Sequence, residues 1–98
     1  MSGSLASPGV VITGASKGLG FALAREFLAG GPARVVVCGR DEARLEAAMA
    51  SLHMAKHPDA RLFGMPCDVS QPTQVSAFAR FSQHALDRNL HFWINNAG

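Results

Sequence analysis

Tyrosine is absent from this chain of 98 residues, and with it any phenol that could serve as an acid. Cysteine is scarce. Cys38 and Cys67 are too few for a secreted disulfide framework, so a reducing compartment is the default. Excess charge is small, since nine Lys and Arg stand against seven Asp and Glu, scattered along the chain for a net +2. Without a basic face, nucleic-acid and membrane-surface binding are both excluded. No apolar run reaches the ~18 residues of a spanning helix, so the chain reads as soluble. The opening residues 1–8 carry neither a basic n-region nor an apolar core, and they read as a flexible lead-in with no signal or transit segment.

What is present is apolar and regularly punctuated. Hydrophobic residues make up 48% of the chain and charged ones 16%, which excludes disorder and fits one small domain. Val10-Val11-Ile12 is a β-branched run suited to a strand buried on both faces. Residues 19–29 are good helix formers, with Leu19, Leu23 and Phe27 at i+4 spacing and Gly30-Gly31-Pro32 as the stop. The pattern then recurs. Arg34 to Cys38 predicts a second strand, and Asp41 a cap for a helix over 42–54 with Leu45, Ala48, Met49 and Leu52 inward. Arg61 to Cys67 predicts a third strand, interrupted by Gly64 and Pro66. Ser70 is placed as cap of a helix over 72–86, whose inward face is Val75, Phe78, Ala79, Ser82, Ala85 and Leu86. His91 to Ile94 supplies a fourth strand. Such alternation with short links predicts an α/β fold: half of a Rossmann doubly wound parallel sheet over residues 9–98, strand order 3-2-1-4, with helices on both faces.

Thr13-Gly14-Ala15-Ser16-Lys17-Gly18-Leu19-Gly20 lies between the first strand and the first helix, and the placement gives the glycines their meaning. Gly14 can take the sharp turn, Gly18 allows an anion close to the backbone, and Gly20 lets the helix pack against the strand. The helix start then offers free amides and a partial positive charge to a pyrophosphate, with Ser16 and Lys17 adding a hydroxyl and an ammonium. A glycine-rich turn that binds nothing is the alternative. A nucleoside-triphosphatase loop is excluded, because it needs Ser or Thr after Gly-Lys and the order here is Lys17-Gly18-Leu19.

A site for NAD(H) usually carries Asp or Glu about 20 residues past the glycines, accepting from the ribose 2′-hydroxyl. Here Gly39 and then Arg40 stand at the end of the second strand. A guanidinium forks onto a 2′-phosphate that a carboxylate would repel, so with Lys17 nearby the reading is NADP(H) over NAD(H). Arg40 as an ordinary solvent-facing residue is the alternative, and Asp41 blurs the preference.

Taken together, these residues resemble the short-chain dehydrogenase/reductase family. Thr13-Gly14-x-x-x-Gly18-x-Gly20 is similar to its cofactor fingerprint, Cys67-Asp68-Val69 to the acidic dipeptide after its third strand, and Asn95-Asn96-Ala97-Gly98 to the motif after its fourth. The resemblance implies that Asp68 contacts the adenine, that Val69 flanks it, and that Leu19 borders the cofactor with the loop. It further implies that Ala97 and Gly98 line the nicotinamide-ribose path and that Asn95 ties the central strands together. Read from the residues alone, Asp68 could cap the third helix and the Asn pair could be an ordinary turn. Within the family, residues 22–28 and 93–98 resemble those of chlorophyll(ide) b reductases. That implies NADPH delivering hydride to a ring formyl group, a chlorophyll as the small-molecule carbonyl substrate, and a chloroplast home; otherwise the chain reads as cytoplasmic.

Members of the family use a Tyr proton donor with a Lys four positions on and a Ser, and no tyrosine is present here. Two expectations stay open. One is the cofactor-binding portion of a reductase, truncated before its catalytic region. The other is a shortened, non-catalytic nucleotide-binding or dimerisation module, whose bare fourth strand pairs with a second copy or with the missing half. His53 and His57 have metal-ligand spacing but no third ligand, so they read as a solvated helix end. Cys38 and Cys67 read as buried thiols at neighbouring strand ends.

Overall fold

β-branched residues concentrated in two short runs give the centre of the sheet. In a computed structural model, which describes residues 8–87 and 89–96, these runs are β1 (Gly9–Ile12) and β2 (Arg34–Gly39). They alternate with α1 (Gly18–Ala29), α2 (Glu42–Ala55) and α3 (Pro72–Leu86), and β3 (Arg61–Pro66) and β4 (Leu90–Ile94) complete the sheet. All pairings are parallel and the order is β3-β2-β1-β4. The predicted half-Rossmann arrangement is therefore the observed one.

Successive residues of a strand face opposite ways, and the core divides accordingly. Val10, Ile12, Val35 and Val37 pack with Ala24 and Leu28 of α1 and Leu45 and Leu52 of α2. Val11, Val36 and Cys38 turn to the other face and meet Phe78 and Leu86 of α3. Each such fully buried Val is worth about 1.5–3 kcal/mol by transfer out of water, so strands covered on both sides carry much of the stability.

Three local expectations are corrected. The buried stripe of α1 is Gly20, Ala24 and Leu28, one position along from Leu19, Leu23 and Phe27. Small residues at 20 and 24 let the helix lie close to the sheet, which leaves Leu19 65% exposed at the helix mouth, while Leu23 and Phe27 pack at the margin. The cap of α3 is Gln71, not Ser70, and it makes no side-chain cap bond. Pro72 begins that helix with a preset φ and no N–H to satisfy. Gly64 does not interrupt β3, because the Met49 thioether lies over it, 2.5 Å from where a Cβ would stand. Pro66 is tolerated at the end of a strand that pairs on one side only.

The cap of α2 and most of the inward face of α3 stand as read from the sequence. Asp41 caps α2, its Oδ1 accepting from the Arg44 N–H at 3.0 Å. Phe78, Ser82 and Leu86 are the buried stripe of α3, with Val75 and Ala85 partly buried beside them. On β4, Phe92 tilts against Phe27 of α1 at 6.0 Å and Trp93 meets Phe78 of α3 edge-on at 5.9 Å, so the two aromatics serve opposite faces. Both remain more than a third exposed along the outer edge of that strand. Of the lead-in, residues 1–7 lie outside the described residues; the Pro8 carbonyl accepts from the Arg34 N–H at 2.9 Å.

Candidate functional site

Parallel strands deliver the chain repeatedly to one edge of the sheet, and a cleft of about 610 Å³ opens there. Its floor and walls come from the β1–α1 loop, the β2–α2 link, the β3–α3 link and Asn96 after β4. Gly14, Ser16, Lys17, Gly18, Leu19, Arg40, Asp68 and Val69, all singled out from the sequence, border this one space.

The β1–α1 loop is shaped by two left-handed glycines, Gly14 at φ 64° and Gly18 at φ 61°. That region is costly for any residue with a Cβ. Ala15 anchors the loop through its N–H to the Cys38 carbonyl at 3.1 Å, and the Ser16 hydroxyl lies over Gly39. Lys17 occupies the cap position of α1 with extended backbone, no side chain caps the helix, and its first turn holds no acid. The first amides of α1 are thus left unanswered by their own segment. A Cβ on Gly18 would meet nothing within 4 Å, so the backbone there borders open space. The start of α2 on the same cleft is the opposite case, capped by Asp41 and bearing Glu42 in its first turn.

Gly20 has a different task. A Cβ there would collide with the Gly14 carbonyl oxygen and stand 2.7 Å from Asn96 Nδ2, so its absence holds helix and loop together. Asn96 completes the brace. Its N–H donates to the Thr13 hydroxyl at 3.0 Å and its Nδ2 to the Gly14 carbonyl at 3.1 Å. Asn96 thereby ties the end of β4 to the β1–α1 loop. Asn95 accepts from Trp93 Nε1 at 3.0 Å and borders a separate hollow beside Phe78. Ala97 and Gly98 lie outside the described residues.

Asp68 does not cap α3. Its Oδ1 accepts from both the Ser70 hydroxyl, at 2.7 Å, and the Ser70 N–H, at 3.0 Å. Those two bonds, and after them the Arg40 charge, hold its carboxyl below the usual range. The cleft accordingly carries Lys17, Arg40 and Arg44 against Asp41 and Asp68. Arg44 was not picked out from the sequence, and Ser70 and Asn96, read there as a helix cap and as part of a motif, were given no place in the site. Arg44 had one available sign, four residues from Arg40 and in the first turn of its helix.

Cys38 and Cys67 are both buried and reduced. Burial, and then the neighbouring Cys67, push the Cys38 thiol up to about 12, and burial likewise raises Cys67. Such thiols are poor nucleophiles. Because the folded state keeps the Cys38 proton longer than the unfolded chain does, this contribution is complete below pH ~9 and is lost as pH rises toward 12. The unfolding free energy from urea titrations should therefore fall between those values, by roughly 1 kcal/mol per pH unit for this thiol, with a shallower decline in Cys38→Val. Equal slopes in both proteins would show that the thiol is not protected.

Comparison with known proteins agrees with this geometry. The family model for short chain dehydrogenase matches residues 9–98. The chloroplastic chlorophyll(ide) b reductase NOL of Arabidopsis thaliana is 42% identical over 91 residues, covering 91% of this chain and 24% of that protein. This chain thus spans about a quarter of the length of that relative. Among solved structures, L-sorbose reductase from Gluconobacter frateurii, complexed with NADPH and L-sorbose, superposes with a TM-score of 0.78 at 33% identity, over 95% of this chain and 34% of that one. A Burkholderia phymatum short chain dehydrogenase/reductase in complex with NAD gives 0.77 at 31% identity, over 89% and 29%. On the match across its whole described sheet and glycine loop, this chain belongs to the short chain dehydrogenase family of oxidoreductases.

Proposed function

We propose that this chain forms the coenzyme-binding portion of an NADPH-dependent reductase that acts on a carbonyl. The observation that carries the reading is the mouth of α1, where uncapped amides and an open, left-handed Gly18 border a cleft that also holds Lys17 and Arg40. The diphosphate would rest on the amides after Lys17, since a helix start that its own side chains leave unsatisfied is an anion site. Lys17 and Arg40 would hold the 2′-phosphate. Asp68, kept ionised by Ser70, would accept from the adenine amino group, with Val69 alongside. For Ala97 and Gly98 beside the nicotinamide ribose, and for Asn95 near it, the support is family resemblance.

When bound, the coenzyme supplies a hydride to the carbonyl carbon, and the oxygen takes a proton. These residues hold no tyrosine, so in this reading the acid belongs to another part of the protein. The likeness to chlorophyll(ide) b reductase supports the ring formyl group of a chlorophyll as substrate, a hydroxymethyl group as product, and the chloroplast as the place of action. Among the described residues no helix is long and apolar enough to cross a membrane.

The test takes the full-length protein through calorimetry with NADPH and NADH, then through turnover with chlorophyllide b. Heat with NADPH, an affinity for NADH weaker by tenfold or more (about 1.4 kcal/mol), and NADPH oxidation matched by hydroxymethyl product are expected. No heat with either coenzyme overturns the reading. Binding without turnover on this substrate removes the chlorophyll assignment alone.

A further inference from the structure

We infer that Cys38 and Cys67 form a modification site, a dithiol that a hydroperoxide converts to a disulfide and whose closure distorts the adenosine end of the cleft. The inference rests on the proposed function and adds to it a redox control of coenzyme binding. Neither sulfur takes part in the proposed reduction.

The pair is set by the sheet. β2 and β3 are parallel, with Cys38 opposite Met65 and Gly39 opposite Pro66. The Cys67 N–H continues that ladder onto the Gly39 carbonyl at 3.0 Å, which puts Cys67 one strand across and two residues along from Cys38. An even offset keeps both side chains on the α3 face, in one core cluster with Phe78 and Leu86. Burial is the main cause that holds both thiols protonated, and each sulfur also acts on the other. A strand spacing of about 4.8 Å and a rise of about 6.6 Å over two residues set the Cα atoms ~8 Å apart. A disulfide needs about 4.4–6.8 Å, so the bond closes when the two strand ends move together.

What moves is the coenzyme wall. Arg40 follows Cys38 by two residues, Asp68 follows Cys67 directly, and both border the cleft. The Cys38 carbonyl also anchors the glycine loop through the Ala15 N–H, and the Ser16 side chain rests on Gly39. Drawing Cys67 toward Cys38 by ~1–2 Å therefore displaces Asp68 relative to Arg40 and pulls on the anchor of the β1–α1 loop. An adenosine seated between Asp68 and Arg40 opposes the same movement, so by linkage coenzyme and disulfide disfavour one another.

Access sets the order of events. Cys67 borders both the cleft and the hollow beside Phe78, whereas Cys38 has no exposed surface. The Cys67 thiolate attacks one peroxide oxygen, the O–O bond breaks, and a sulfenic acid and one water result. Cys38 then gives up its proton and attacks the Cys67 sulfur; the S–O bond breaks and a second water leaves. Two thiols are oxidised and one peroxide is reduced to two waters. Because both thiols hold their protons to raised pH, bridging is slow at neutrality and quickens in alkali.

The test treats the full-length protein with hydrogen peroxide, maps linked peptides by mass spectrometry, and measures NADPH affinity by calorimetry before and after. A peptide pair joined through Cys38 and Cys67, an affinity about tenfold weaker, and recovery with dithiothreitol are expected. Saturating NADPH should slow the bridging by about fivefold or more. Cys67→Ala and Cys67→Ser, which lack the attacking sulfur, should keep their affinity within about twofold through the same treatment. Treated protein without that linkage overturns the inference, as does linked protein that binds NADPH as the reduced form does, or bridging at the same rate with NADPH bound. An equal loss of affinity in the Cys67 variants places the damage elsewhere and overturns it too. All four results leave the proposed function standing. Reduced wild-type protein that binds neither coenzyme defeats the proposed function itself, and the inference falls with it.

Discussion

Valine in place of Gly18 is expected to abolish coenzyme binding while leaving a protein that still folds. Two features separate these effects. The backbone at Gly18 has φ 61°, a region β-branched residues rarely enter, so valine pays about 1–3 kcal/mol in strain. No neighbour lies within 4 Å of the added Cβ, so there is no internal clash to compound that cost. The new methyls instead occupy the space from which a diphosphate would reach the first amides of α1. Losing two hydrogen bonds to a charged group removes about 3–6 kcal/mol, or ~10²–10⁴-fold in affinity. Thermal melting should show a modest drop and calorimetry a lost signal. Gly18→Ala, with less strain and one carbon in the space, should fall between. Valine protein that binds NADPH as wild type does would mean the ligand sits elsewhere.

The contrast between an open Gly18 and a close-packed Gly20 was legible in the sequence. The strands and their order could be read because Val10-Val11-Ile12 and Val35-Val36-Val37 are β-branched on both faces, a pattern that few alternatives satisfy. The loop was legible because a strand precedes it and a helix follows. Finer assignments failed where one residue of offset decides the outcome. In β4, Trp93 faces α3 and Ile94 packs toward α1, so the alternation carries Asn95 toward the Phe78 hollow and Asn96 toward the glycine loop. Two identical residues in a row hide that parity. On α1, the apolar spacing of Leu19, Leu23 and Phe27 was a plausible stripe, but the sheet takes the smaller residues one step along because they permit closer approach. Ser70 looked like a cap until Asp68 proved to hold its hydroxyl. Arg44 left no periodic trace at all, since an exposed position on an amphipathic helix tolerates almost any polar side chain.

Arg40→Asp carries the largest expected change in coenzyme choice. Arg40 lies exposed beside the cleft at the end of β2, where its charge already acts on Asp68. Removing the guanidinium forfeits a bidentate, charge-assisted contact of about 1.5–3 kcal/mol with a 2′-phosphate, and the new carboxylate repels that group. Against NADH the sign reverses, because aspartate can accept from the free 2′-hydroxyl for about 1 kcal/mol. Solvent screening trims each part, so the NADPH to NADH affinity ratio should fall by roughly 10²-fold. A second readout needs no coenzyme. The Asp68 carboxyl loses a favourable cation and gains an acidic neighbour, so its titration, followed by carboxyl-carbon NMR, should move upward while the Ser70 bonds keep it from rising far. An upward Asp68 titration with an unchanged coenzyme ratio would leave Arg40 in the cleft and deny it any part in selection, and the preference would then have to be sought in Lys17 and Arg44.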